Sequence, residues 1–346
     1  MKALMIGGSG FIGRFVVSKL QESGHSVTVF HRGSTAPSPG VEQIQGDRKR
    51  LREYRHAFQN RNFDVVIDMI LSSAEQGTEL MEIFRGIAGR VVAPSSMDVY
   101  RAWGIFYGLE TGVLQPMPVT EESELRSKRV AYPPETLKRV QQIFPWMTEA
   151  YDKIAVENVV LGAHDPAGTV LRLPMVYGPN DPLHRLHFLL KRMDDGRKHI
   201  LFADDVADLR TPRGYVENVA HAIFLAAVSE QAAGRIYNVA EQTVFGELEW
   251  AGKVAAITGW KGKFVVLPHD RTPKHLWMPG NTAQHLVGSS DRIRNELGYR
   301  ESVSLEESLR RTIEWERSHP PQNPMAVFDY EAEDEALSAF KAGQSG

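Results

Sequence analysis

Lys2-Ala3-Leu4-Met5-Ile6-Gly7-Gly8-Ser9-Gly10-Phe11-Ile12-Gly13 is the stretch from which the fold is read. Residues 2–6 are an apolar run of strand length. Phe11, Ile12, Phe15, Val16 and Leu20 then recur at helical spacing over residues 11–22, and Gly24 stands where a helix C-terminus favours glycine. Between strand and helix, Gly7, Gly10 and Gly13 form a GxxGxxG pattern. The first glycine allows a tight turn, the second lets backbone approach a pyrophosphate, and the third lets helix and strand pack closely. The helix N-terminus then faces the phosphates. A glycine trio alone is an ordinary turn; lodged between a strand and a helix it marks a dinucleotide site built from Gly7, Ser9, Gly10, Phe11, Ile12 and Gly13.

Further apolar runs at Ser26–Phe30, Val65–Met69, Arg90–Pro94, Gly168–Arg172 and Ile236–Val239 alternate with helical patterns. They predict an α/β fold, a doubly wound parallel sheet of the Rossmann type with a smaller C-terminal substrate lobe. The expected division is a dinucleotide-binding domain over 1–175 with returning segments near 212–240, a substrate lobe over 176–318, and a tail over 319–346. In that tail Pro320, Pro321 and Pro324 oppose a packed helix, and residues 331–342 form a surface helix or nothing fixed.

The 346 residues carry 40 Lys+Arg against 43 Asp+Glu, a formal charge of -3, and no cysteine. The totals show no nucleic-acid footprint. Disulfides, thiolate metal sites and cysteine nucleophiles are excluded. No apolar run approaches the roughly 20 residues that span a bilayer, so a soluble cytoplasmic protein without a membrane partner is expected. His184 and His187 are the one tight histidine pair and lack a carboxylate at ligand spacing, which argues against a metal. The basic run Arg48-Lys49-Arg50 with Arg52 and Arg55 reads as a solvated helix face rather than a nucleic-acid surface.

The second strand ends in His31-Arg32. A carboxylate there would receive a ribose 2′-hydroxyl and favour NAD. A guanidinium suits a 2′-phosphate, so NADP is the favoured cofactor, with NAD the alternative. Asp47, in Gly46-Asp47, is placed to accept from the adenine amino group or simply caps a turn.

Over residues 1–318 the chain resembles the extended short-chain dehydrogenase/reductase family, of the epimerase/dehydratase type. The resemblance rests on Gly7–Gly13, Gly46-Asp47, Pro94-Ser95-Ser96-Met97-Asp98-Val99-Tyr100, residues 171–179, Arg213–Val219, Tyr237-Asn238-Val239 and the stretch from Leu297 to Trp315. It implies a serine, a tyrosine and a lysine around the nicotinamide. The serine falls on Ser96, the lysine on Lys153, which also serves the cofactor ribose, and Pro174 lies beside the cofactor. Four residues before Lys153, however, stands Glu149 rather than tyrosine. In a continuous helix Tyr151 sits about 200° around the axis from Lys153. Three readings stay open: Glu149 moves the proton, Tyr151 reaches the site through an irregular helix start after Pro145, or the proton chemistry is lost.

The resemblance also implies a homodimer through the Lys153 helix. Met175 replaces the asparagine by which many members hold a substrate pyrophosphate, which counts against a nucleotide sugar. Arg213 resembles an arginine on the substrate phosphate, or forms a salt bridge between lobes. Trp103 lines a substrate pocket or packs in the core. The expected function is an NADP-dependent oxidoreductase or epimerase acting on a hydroxyl or carbonyl carbon of a sugar-like substrate, a nucleotide sugar being kept open. The competing class is a non-redox dinucleotide-binding protein, for which the RNA-binding chloroplast members of the family are a precedent.

Overall fold

The structure, a computed structural model, describes residues 1–33 and 38–344. Its strands are β1 (Lys2–Ile6), β2 (Ser26–His31), β3 (Glu42–Gln45), β4 (Phe63–Asp68), β5 (Ala88–Ser96), β6 (Ala167–Leu173), β7 (Met175–Tyr177), β8 (His199–Ala203), β9 (Arg213–Tyr215), β10 (Ile236–Asn238) and β11 (Lys263–Leu267). Seven of them form one parallel sheet in the order β10-β6-β5-β4-β1-β2-β3. All six strands read from the sequence lie in it. β3, a four-residue edge with one buried side chain, carried no apolar signal.

Burial on both faces follows from the two-residue strand period. In β1, Ala3 and Met5 join the core beneath the helices Gly13–Glu22 and Val216–Val228, while Leu4 and Ile6 join the opposite core. The second core holds Leu80 and Phe84 of the helix Ala74–Phe84 and Val156 and Val160 of the helix Lys153–Gly162. Val16, Val17 and Leu20 are fully buried, each burial stabilising by about 1.5–3 kcal/mol.

Strand order reverses at β1, which has β2 on one side and β4 on the other. A crevice therefore opens beyond the carboxyl ends of β1 and β4, where such sheets bind ligands. Two shorter ladders follow. β7 pairs with β9, setting Met175 opposite Arg213, and β8 pairs with β11.

The C-terminal helix Tyr330–Gln344 is anchored. Glu333 and Arg192 bury their side chains completely in an ion pair with N···O of 2.5 Å, and His275 Nε2 lies 3.0 Å from the same carboxylate. Leu337 joins Leu201, Leu267 and Leu276 in a small core. Charged residues that read as a surface helix thus hold the tail to the lobe. Glu333→Ala strands Arg192 without a counter-charge and is expected to lower stability by about 3–5 kcal/mol in urea unfolding; a loss under about 1 kcal/mol would contradict the anchor.

Candidate active site

The crevice is lined on one side by Gly7, Ser9, Gly10, Phe11, Ile12 and Gly13, and on another by His31, Arg32 and Asp47. Met69, Phe144, Pro145, Trp146, Asn180 and Pro182 form the remaining walls. Gly7 has φ +81°, a left-handed conformation that glycine adopts without strain. A Cβ on Gly13 would run into the Gly7 carbonyl oxygen, so the helix can cross this close only on glycine. Arg14 reaches back with Nη2 to the Ser9 carbonyl and Nη1 to Asn180 Oδ1, while its buried Nε has no partner among the described residues. A glycine cradle with an unsatisfied guanidinium donor beside it fits a dinucleotide pyrophosphate.

Arg32 is exposed just after β2 and makes no ion pair with the described residues. His31 is occupied: Nδ1 accepts from Gly33 N and Nε2 meets Gln43 Oε1. Asp47 caps the 3-10 helix Arg48–Tyr54 through Lys49 N. Most of the basic run serves ion pairs within the chain: Arg48 with Asp68 and Glu79, Arg50 with Glu53, and Arg52 with Glu82.

Lys153 is 3% exposed and donates to the carbonyls of Leu71 (2.5 Å) and Pro94 (2.9 Å). Burial lowers its pKa to about 8, against the opposing pull of Asp98, Asp68 and Glu157. The ammonium also lies 5.6 Å from the Trp146 ring and 6.0 Å from that of Tyr151. One turn on, Glu157 accepts from Ser95 Oγ and pairs with Arg172, which in turn donates to the Tyr100 hydroxyl.

The helix of Lys153 does not contain Tyr151. Asp152 is its N-cap in extended backbone (φ -151°, ψ 94°), its carboxylate accepting from Ala155 N. Tyr151 therefore precedes the helix, and the offset of about 200° in a continuous helix does not govern where its side chain goes. Tyr151 is 8% exposed, and its hydroxyl donates to Asp98 Oδ2 at 2.8 Å. Burial raises its pKa well above the usual phenol value, and the Asp98 charge adds to the rise. The neighbouring Ser96 hydroxyl and Arg126 oppose it. Ser96 accepts from Asp98 N, turning the chain at the end of β5. Ser96, Tyr151 and Lys153 are thus brought together. Glu149 is exposed and makes no hydrogen bond or ion pair with the described residues.

Sequence reading missed three members of this cluster: Asp98, Tyr132, whose hydroxyl donates to the same Oδ2 at 2.7 Å, and Arg126. Asp98 stood in view two residues beyond Ser96. Tyr132 lies in an irregular stretch and gave no signal.

Among the expected substrate residues, Trp103 is 7% exposed and packs near Tyr100 in a core with Met97, Val99 and Phe106. Arg213 donates to both oxygens of Glu247 at 2.6 Å and stacks 4.5 Å over Trp250. Its Nη1 is buried without a partner among the described residues. Met175 is half-buried beside it in the ladder, and Pro174 packs against Gly214.

The NAD dependent epimerase/dehydratase family model matches residues 3–91 and 142–240. The chain belongs to that family. It is 21% identical over 344 residues to UDP-glucose 4-epimerase of Lactobacillus helveticus, covering 92% of this chain and 98% of the relative. Two similarities are partial. The uncharacterized protein y4nL of Sinorhizobium fredii is 25% identical over 168 residues, 42% of this chain and 46% of that protein. Chloroplast stem-loop binding protein of 41 kDa b of Arabidopsis thaliana is 29% identical over 149 residues, 37% and 39% of the two chains. Among solved structures, MoeE5 in complex with UDP-glucuronic acid and NAD superposes with a TM-score of 0.66 at 20% identity, covering 92% of this chain and 99% of MoeE5. That likeness carries the fold.

A lysine whose pKa is lowered in the folded state binds fewer protons there than when unfolded, so stability from this group rises between about pH 8 and pH 10.5. Relative to Lys153→Met, the wild type is expected to gain on the order of 3 kcal/mol across that window, read from urea unfolding at pH 7 and pH 10. A pH-independent difference would mean that Lys153 is solvated.

Proposed function

We propose that the protein is an NADP-dependent oxidoreductase or epimerase acting on a hydroxyl or carbonyl carbon of a sugar-like small molecule. The observation that carries this reading is the convergence of the Tyr151 phenol and the Ser96 hydroxyl beside buried Lys153, at the carboxyl end of β5. A proton-exchanging group, a hydroxyl to hold the substrate oxygen and a fixed cation are what a carbonyl–alcohol interconversion requires of the protein. When bound, the nicotinamide supplies or accepts the hydride.

In this reading the glycine turn and Arg14 hold the pyrophosphate, Arg32 the 2′-phosphate, and Asp47 the adenine edge. Lys153 uses two of its donors on Leu71 and Pro94 and offers the third to the nicotinamide ribose. Ser96 orients the substrate oxygen, and Tyr151 exchanges the proton with it. A non-redox role needs that proton-moving group to be lost, and Tyr151 beside Ser96 argues for its presence. Arg213 is already neutralised by Glu247, and Met175 offers no donor. Both favour a substrate not held there by a pyrophosphate.

Tyr151→Phe is expected to lower turnover by about a hundred-fold or more while leaving NADPH affinity within a few-fold. Glu149→Gln should change neither. The assay is cofactor oxidation or reduction, with product analysis for epimerisation, in which the cofactor is recycled, across a panel of free and nucleotide-linked sugars. Loss of turnover in Glu149→Gln with Tyr151→Phe active would reverse the assignment. Arg32→Ala is expected to weaken NADPH by roughly ten- to a hundred-fold and leave NADH nearly unchanged, read by fluorescence titration. Equal effects on both cofactors would mean that Arg32 does not hold the phosphate.

A further inference from the structure

Asp98 is 1% exposed, yet one oxygen of its carboxylate is crowded and the other has no partner. Oδ2 accepts from Tyr151 at 2.8 Å and from Tyr132 at 2.7 Å. Among the described residues Oδ1 is buried without a hydrogen bond, and Arg126 Nη2, likewise without one, stands 4.0 Å away. Arg126 is held off by its other duties: Nε donates to the Asp98 carbonyl and Nη1 to the carbonyls of Lys128, Arg129 and Val130. A carboxylate that is buried, incompletely satisfied and short of a bonded counter-ion is costly as a purely structural device. Asp98 and Tyr132 both fall in the stretch between the two segments matched by the family model.

We propose that Asp98 is the proton partner of Tyr151, taking the phenol proton as Tyr151 takes the substrate's and returning it in the reverse direction. This rests on the reading that Tyr151 exchanges a proton with the substrate oxygen. In oxidation the substrate O–H bond breaks and its proton bonds to Tyr151 Oη. The phenol O–H bond breaks in the same event, and that proton bonds to Asp98 Oδ2. The substrate C–H bond breaks with its electron pair leaving as hydride, which a bound nicotinamide would accept, and the electron pair of the broken O–H bond forms the carbonyl. Tyr151 is a neutral phenol before and after, so no buried phenolate has to exist beside an anion. Asp98 ends neutral, its new Oδ2–H donating to Tyr151 Oη, so the contact between the two is kept with donor and acceptor exchanged. Tyr132, half-buried on an open hollow shared with Arg129 and Leu137, gives the proton a way out. Asp98 acts through Tyr151 and is a positioning residue in this sense.

The charged and titratable groups facing Asp98 are Arg126, Lys153, Tyr107, Tyr132 and Tyr151. The test uses cofactor-free full-length protein labelled with 3-fluorotyrosine, which brings phenol titration into an accessible pH range, and 19F NMR with Tyr151→Phe as the assignment control. Asp98→Asn is expected to move the Tyr151 titration down by at least one pH unit, and Asp98→Glu to restore it. An unmoved titration in folded Asp98→Asn overturns the proposal. Should Asp98→Asn fail to fold, the wild type decides. The wild-type Asp98 carboxyl 13C resonance should show an H/D isotope shift that shrinks in Tyr151→Phe to the part owed to the Tyr132 hydroxyl, and a shift that Tyr151→Phe leaves unchanged overturns the pairing. Neither measurement involves turnover, so an inactive enzyme with a coupled pair counts against the proposed reaction and not against the pairing.

Discussion

The buried ion pair between Arg172 and Glu157 is the constraint on which the site depends. Both side chains are at most 3% exposed, and Arg172 donates to Glu157 through Nε and Nη2. Arg172 comes from β6 and Glu157 from the helix that begins with Lys153. Ser95 of β5 donates to Glu157, Arg172 reaches the Tyr100 hydroxyl, and Tyr100 donates to Asn238 of β10. Glu121 closes the ring, its carbonyl accepting from Arg172 and its carboxylate from Asn238 N. Such a network adds little net stability over apolar packing, because desolvation offsets most of the attraction. It is highly directional, and it sets three strands, one helix and the 97–125 segment in a single register.

Strand alternation turns that register into chemistry. Ser95 and Ser96 are neighbours in β5, so their side chains leave on opposite faces. One is tied into the ion-pair network, and the other is delivered to Asp98 and Tyr151. On the helix, Glu157 follows Lys153 by one turn, so fixing the carboxylate also fixes the ammonium over Leu71 and Pro94. The glycine-lined crevice and the cluster of Ser96, Asp98 and Tyr151 are joined by residues 144–152, whose first members wall the crevice and whose last include Tyr151 and the Asp152 cap of the helix.

The sheet was legible because its central strands are buried on both faces and read as β-branched, nearly uncharged runs, and because the glycine turn sits where only glycine lets helix and strand cross. The Tyr151 position was legible only as one of three open readings, and the reason is local. Extending the helical period upstream of Lys153 rotates Tyr151 away, whereas reading Asp152 as a cap ends the helix at Lys153 and frees the residue before it. Other features depend on partners distant in sequence: Arg213 is taken up by Glu247, and Glu333 by Arg192. No pattern of periodicity marks such pairs, since a charge destined for burial looks the same in sequence as one destined for solvent.

The most direct test of this account is a crystal structure with NADPH bound, read at the nicotinamide C4. The account predicts the Tyr151 hydroxyl and Ser96 Oγ converging on the space over C4, with Lys153 on the ribose and Glu149 in solvent. A nicotinamide whose C4 faces neither hydroxyl, or faces Glu149, would contradict it.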